Sequence, residues 1–438
     1  MLASSLCFGL LAGCGGQIAE APVQPESKAA NSTPAQPAQP AKPPEPVTLT
    51  TIANGVVITE GDFQKLFAEP VKKKYPYVTL TMLKAGTNIN QLIAANEIPD
   101  LFLLNTRSYA SFGNLKVTSD LNDLVKKYNL DLSRFEPTTI DVIHTLGDGK
   151  QLFGIPFFQN LYALYYNKDI FDKFGVAYPK DGLTWDQTIE LARKLTRVDG
   201  EVQYKGLSAS WTGQGVRDFA SGFALPYIDP KTMKATVNTD GWKKALTILK
   251  EINDIPGNLG GDVRQLFHKD KILAMMVSAN PRIGELEELF KKGEGVNYDF
   301  AAPPYFPELP GKTQETDTRF IAVSGTSKNR DLAFQVVQEI VSDANAVEFT
   351  RRAFPPVLKN ADLKKQFGAE LETLKGKHIE AFFKSTPIVS PIRTIYVNNA
   401  DRAVQTEFTK VLKGEEDINT ALRNADEAIN KIVEAGEK

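Results

Sequence analysis

The chain has 438 residues, 42% of them hydrophobic, and 51 Lys and Arg against 53 Asp and Glu, for a formal net charge of −2. That length buries a large core, most naturally in two domains, and the near-balanced charge, with no basic domain, argues against a nucleic-acid partner, whose phosphates need clustered cations. Of the two cysteines, Cys7 lies in a leader-like segment and Cys14 just after it, so the folded region has no thiol for a disulfide, a thiolate metal site or a cysteine nucleophile.

Leu2 to Leu11 is an apolar run, too short for a bilayer crossing of about 20 residues, and reads as a signal segment. No Lys or Arg precedes it, a departure from the usual charged start. The run leads into Leu10-Leu11-Ala12-Gly13-Cys14, which looks like a bacterial lipoprotein cleavage box: small residues fit the peptidase, and the Cys14 thiol would carry the lipid. Residues 1–13 are therefore expected to be removed. From Gly15 to Pro46 the composition turns to Pro, Ala, Gln and Glu, which cannot bury enough surface to fold. With Cys14 this forms a tether (14–46), bounded in reach at roughly 100 Å by the ~3.1 Å per residue of Pro-rich chain.

After residue 46 strands and helices alternate. Val47 to Ile52 reads as a strand, and Asp62 to Lys73 as a helix with Phe63, Leu66, Phe67 and Val71 inward. Lys72-Lys73-Lys74 closes that helix, where cations suit the dipole. Val78 to Leu83 is a strand, Ile89 to Ala95 a short helix, and Leu101 to Leu104 a continuous apolar strand of the kind buried on both faces. The pattern predicts a mainly parallel α/β sheet, whose ligands gather at the carboxyl ends of the strands. Glu60, Gly61 and Asp62 then follow one strand end, and Asn105, Thr106 and Arg107 another.

Next come a turn at Gly147 to Gly149, a strand from Gln151 to Ile155 stopped by Pro156, and a second strand from Leu161 to Tyr166. A short helix capped by Asp169 and ended by Gly175 follows, then one opened by Thr184, with Ile189, Ala192 and Leu195 on its apolar face. The order of Asp148-Gly149-Lys150, Gly154-Ile155-Pro156, Tyr165-Tyr166-Asn167-Lys168, Phe171, Gly175 and Thr184-Trp185 resembles bacterial extracellular solute-binding proteins of the sugar-binding type, the ligand-capturing components of ABC importers. Ile98-Pro99-Asp100, Lys271 to Met276, and Ile321 to Ser324 followed by Lys328-Asn329 keep the same order. The resemblance covers residues 47 to 435.

It implies an α/β, two-lobe periplasmic-binding-protein-like fold of type II, with a ligand cleft between lobes. Lobe one is expected over 47–156 plus 318–358, and lobe two over 157–317 plus 359–438, with Phe157 to Asn160 as the first hinge crossing. It implies capture of an oligosaccharide or other carbohydrate by cleft closure, delivery to ABC permease subunits, and a monomer held by its lipid on the extracellular face of the cell membrane. No cofactor or metal is implied.

Sugars need aromatic rings for their faces and polar side chains for their hydroxyls. Trp211, in the polar loop Ser208-Ala209-Ser210-Trp211-Thr212-Gly213, is the leading stacking residue, whereas Trp185 and Trp242 sit at helix positions that suit packing. Asn160 stands four residues after Pro156, where the resemblance places a ligand contact, with Phe157, Phe158 and Tyr162 around it. Asn280 and Arg282 follow the Ala-Met strand, where many relatives have Gly then Trp; this chain lacks that Trp. Asp317 and Arg319 flank the second crossing, and Arg393 and Tyr396 precede the last helices. Arginines in the cleft would turn the site toward an anionic sugar such as a uronate, which guanidinium matches bidentately.

Catalytic machinery is not legible. Gly206-Leu207-Ser208-Ala209-Ser210 misses a nucleophile elbow because its last residue is not Gly, Gly213-Gln214-Gly215 lacks a third glycine at Asp218, and His144, His268 and His378 are scattered. Two other classes stay open: a sensor lobe that signals to a membrane receptor, and a secreted glycoside hydrolase with carboxylates drawn from distant segments.

Overall fold

Two five-stranded sheets and a two-stranded ribbon organise the chain. The computed structural model describes residues 44–112, 115–147, 149–209, 215–389 and 391–436. In chain order the strands are β1 (Val47–Asn54), β2 (Val78–Met82), β3 (Leu101–Asn105), β4 (Ile155–Asn160), β5 (Tyr162–Asn167), β6 (Arg197–Asp199), β7 (Val202–Ser208), β8 (Leu273–Ala279), β9 (Tyr298–Ala301), β10 (Lys312–Glu315), β11 (Asp317–Val323) and β12 (Thr386–Ile388). The first sheet has the order β2-β1-β3-β11-β4, the second β6-β7-β8-β5-β9, and β10 pairs with β12.

Both sheets are mixed. Parallel pairing joins β1 to β2 and β3, and β7 to β8, while β11 is antiparallel to β3 and β4, and β5 to β8 and β9. The reason is geometric. β3, β4 and β8 end at the rim between the sheets, and a strand that enters from that rim must run against strands that finish there. β11 and β5 both start in this way, with Asp317 opposite Asn160 and Tyr162 opposite Ala279.

Three local expectations change. The strand expected over Gln151 to Ile155 instead begins at Ile155 and runs through Pro156 to Asn160, with residues 151–154 outside it, so Phe157 to Asn160 is β4 itself and the chain passes to β5 at Leu161. Proline is tolerated there because β4 is an edge strand and the register against β11 shifts between Arg319 and Phe320. The helix Lys168–Phe174 is capped by Asn167, whose Oδ1 accepts from the Asp169 N–H at 3.1 Å, rather than by Asp169. The helix expected over Asp62 to Lys73 comprises Glu60–Phe63, a π segment Gln64–Ala68 and Glu69–Lys74, opened by Thr59.

Other signals hold. Gly175 adopts the left-handed conformation (φ +64°) that ends its helix, and Thr184 forms a reciprocal capping box with Gln187. The core under the first sheet gathers Phe63, Phe67, Phe102 and Phe320; that of the second gathers Trp185, Phe219 and Trp242. Trp242 is fully buried with its Nε1–H donated to the Pro226 carbonyl at 3.1 Å, and the Trp185 ring lies 4.5 Å from that of Phe219. Each such side chain stabilises by roughly 3 kcal/mol through burial.

Candidate ligand-binding site

The rim shared by the two sheets encloses a cavity of about 290 Å³. From the first sheet come Asn105 at the end of β3, Asn160 at the end of β4, and Asp317 and Arg319 at the start of β11. Register fixes them as neighbours, since Arg319 pairs with Asn105 and with Phe158, and Asp317 with Asn160. The helix Thr106–Phe112, which follows β3 directly, brings Arg107. The other wall is built from Tyr162 on β5, Ser278 and Ala279 on β8, and Arg217, Asp218 and Ser221 on the helix Gly215–Gly222. Arg282, Glu315 and Arg393 complete it.

Charge dominates this lining. Five arginines (107, 217, 282, 319 and 393) line the cavity with three carboxylates (Asp218, Glu315 and Asp317); Arg282 is paired with Glu285, outside the lining, which leaves an excess of one positive charge. Arg319 pairs with Asp317 and Arg393 with Glu315, in both cases with guanidinium side chains only 11% exposed. Arg107 donates to Asn398 Oδ1 at 3.1 Å, and Arg217 Nε lies 3.7 Å from Asp218.

Burial followed by repulsion from Arg393 and Arg217 lowers the Arg107 guanidinium from its ordinary value. Burial alone would raise the Asp317 carboxyl, but Arg319, then Asn160 and Arg393, outweigh it and hold the group below the usual range. For Arg217, burial is outweighed by Asp218 and Asp401, which raise it. Burial also pushes the Tyr162 phenol well up, so it is a neutral donor.

Not every residue singled out in the sequence reaches this cavity. Asn105, Arg107, Asn160, Arg282, Asp317, Arg319 and Arg393 line it. Phe158 does not: it packs among Phe157, Phe349 and Phe354 in the first core, with its ring 4.9 Å from those of Phe157 and Phe354. Asn280 lies beneath the wall, accepting from the Leu161 N–H and donating to the Ala353 carbonyl, both at 3.0 Å. Glu60 is exposed at a helix start and accepts from Gln64, while Asp62 pairs with Arg352 at 2.6 Å; neither lines the cavity. Trp211 and Cys14 lie outside the described residues. Phe158 is drawn into the aromatic cluster of the first core, Glu60 and Asp62 are carried by a helix, and Asn280 lies past the end of β8, so proximity in sequence to a strand end does not place a side chain in the cavity.

The sequence and fold carry clear relatives. Residues 58–347 match the family model of the bacterial extracellular solute-binding proteins. The chain belongs to that family. Among curated relatives of this solute-binding protein is the sn-glycerol-3-phosphate-binding periplasmic protein UgpB of Rhizobium meliloti (strain 1021), 23% identical over 335 residues that span 70% of this chain and 74% of the relative. Among solved structures, the ABC substrate-binding protein Lmo0181 from Listeria monocytogenes in complex with cycloalternan superposes with a TM-score of 0.72 at 21% identity, covering 89% of this chain and all of the other. The cyclic alpha-maltosyl-1,6-maltose binding protein from Arthrobacter globiformis gives a TM-score of 0.72 at 17% identity over the same shares. These structures have the same two-lobe fold.

Sequence reasoning missed several lining residues of this solute-binding protein. Arg217, Asp218 and Ser221 belong to a helix with Val216, Phe219, Ala220 and Gly222 buried, whose polar face turns to the cleft. Its apolar spacing was a usable signal. Glu315 offers none, because its place depends on β10 pairing with β12, about 70 residues away.

Proposed function

We propose that this protein captures a small anionic carbohydrate or polyol derivative in the cleft between its lobes, closes over it, and delivers it to the permease subunits of an ABC importer. The observation that carries the reading is the convergence of five arginines on one cavity with three carboxylates. Guanidinium groups match carboxylate and phosphate oxygens two at a time. The buried Oδ1 of Asn160, which has no hydrogen-bond partner among the described residues, supplies an acceptor for a ligand hydroxyl.

The ring content supports the same reading. Tyr162 is the one aromatic residue among the described lining residues, and a neutral oligosaccharide would need more ring surface for its sugar faces. The cavity is also at the small end of the roughly 300–1,000 Å³ found for ligand pockets. Among relatives, UgpB is named for a phosphorylated polyol, and that chemistry fits the arginines here better than the neutral cycloalternan of the Listeria protein. Capture rather than hydrolysis is supported by the match to a solute-binding family.

Capture for import places the protein outside the cell membrane, and Cys14 is the residue that would anchor it there as a monomeric lipoprotein. Among the described residues no helix is long and apolar enough to cross a membrane.

A thermal-shift screen of the full chain against uronic acids, sugar phosphates and their uncharged parents tests this reading. A ligand at 100 times its Kd adds about 2.7 kcal/mol of stability, and the expected hits are anions, recovered unchanged and weakened by Arg107→Gln. Stabilisation by neutral sugars alone, or cleavage of the bound sugar, would sink it.

A further inference from the structure

We infer that the ligand has two units, and that a second pocket beside the charged cavity holds the unit that does not carry the anion. This rests on the anion-capture reading above. The second pocket, of about 380 Å³, shares Thr106 and Arg393 with the first, so the two meet at those side chains. At the junction Arg393 pairs with Glu315 on the inner side, while its buried Nε has no hydrogen-bond partner among the described residues. A linking oxygen crossing from one pocket to the other would accept from that N–H.

The outer pocket differs in chemistry from the inner one. Its wall carries the rings of Tyr109 and Phe153, with centroids 5.4 Å apart and planes inclined by 37°. Thr118 adds a hydroxyl, donated to the Tyr109 oxygen at 3.4 Å, and Lys116 and Ile395 stand exposed in the lining. Rings for a sugar face beside hydroxyls for its edge suit a neutral polyhydroxylated unit, and the arginines of the inner cavity suit a carboxylate or phosphate. The ligand class that satisfies both is an anionic unit joined to a second sugar: an acidic disaccharide or a disaccharide phosphate.

Calorimetric titration of the full chain with paired probes tests this. Galacturonic acid is compared with galacturonosyl-rhamnose, whose second unit is uncharged, and glucose 6-phosphate with trehalose 6-phosphate; the pairs distinguish a carboxylate source from a phosphate source. In at least one pair the two-unit anion is expected to bind about tenfold more tightly, a difference of ~1.4 kcal/mol. Ile395→Trp, a change at a side chain 43% exposed, fills the outer pocket and is expected to bring that ratio close to one. Equal affinity within both pairs, or a ratio that survives Ile395→Trp, overturns the second pocket and leaves anion capture standing. Binding of the uncharged parents with no binding of any anion overturns both.

Discussion

Asn160 and Asp317 face each other on the last rung of the first sheet, where the Asn160 Nδ2–H donates to Asp317 Oδ2 at 2.8 Å. That bond uses the donor end of the amide and fixes which way it points, so the Oδ1 is left as the buried acceptor at the cavity wall. It also adds to the Arg319 contact that keeps Asp317 ionised.

Replacing the amide by an acid reverses this arrangement. Asn160→Asp would set two carboxylates side by side, and like charges at that separation cannot both ionise freely. An anionic ligand is expected to bind at least about tenfold more weakly, a loss of ~1.4 kcal/mol. Titration calorimetry at pH 7.5 checks this; unchanged affinity would show that the rung does not touch the ligand.

Arg319 matters for folding as well as for binding. Arg319→Met takes the nearest cation from the Asp317 carboxylate and leaves Asn160 and Arg393 to oppose its burial; breaking a buried pair from one side costs about 3–5 kcal/mol, and the remaining partners place this loss toward the lower end. Asp317→Asn in the same chain removes the stranded charge, and the double variant is expected to recover part of the loss in urea unfolding. A double variant no more stable than Arg319→Met would count against a charge-based origin.

His268 gives a stability slope on the acid side of neutrality. It is 5% exposed, its Nε2 has no hydrogen-bond partner among the described residues, and burial, then Arg282 and Arg264, lower its pKa to about 4, with Asp262 opposing; Glu285 lies 3.7 Å from its Nδ1. The unfolded chain binds this proton near pH 6.5 and the folded chain only near 4, so stability is full above pH 6.5 and falls as pH drops between those values. The contribution lost at pH 5 is about 2 kcal/mol. His268→Gln is expected to remove that part of the slope between pH 7.5 and 5, as read by urea unfolding at each pH; an unaltered slope would assign it elsewhere.

Gly206 marks the closest approach of β7 to the helix Trp185–Leu195. A Cβ built there would stand 2.2 Å from the Ala192 carbonyl oxygen, and backbone cannot rotate away as a side chain can. Gly206→Ala is expected to cost about 3 kcal/mol, at the upper end of ordinary overpacking. Denaturant unfolding measures it, and a loss below ~1 kcal/mol would mean the strand slides without consequence.

Much of the fold was legible because local chemistry fixed it: Gly175 and Thr184 end and begin helices in the way their residue types prefer, and the Leu101–Asn105 run is buried as an apolar strand should be. Pro156 misled because proline is an obstacle only inside a fully paired strand, and nothing local announces that β4 is an edge. Among candidate site residues, the arginines reached the cavity because long charged side chains near strand ends have few other places to go. Phe158 and Asn280 did not, since Phe158 is drawn into packing with Phe349 and Phe354 and Asn280 is held by Leu161 and Ala353, contacts that are distant in sequence.

Titration calorimetry of the full chain with galacturonic acid and glucose 6-phosphate, each against its uncharged parent sugar, tests the charged cleft most directly. Charge-assisted contacts worth about 1.5–3 kcal/mol each should make at least one anion bind about 100-fold more tightly than its parent, a gap that Arg107→Gln narrows. Parent sugars that bind as tightly as the anions, with Arg107→Gln making no difference, would contradict it.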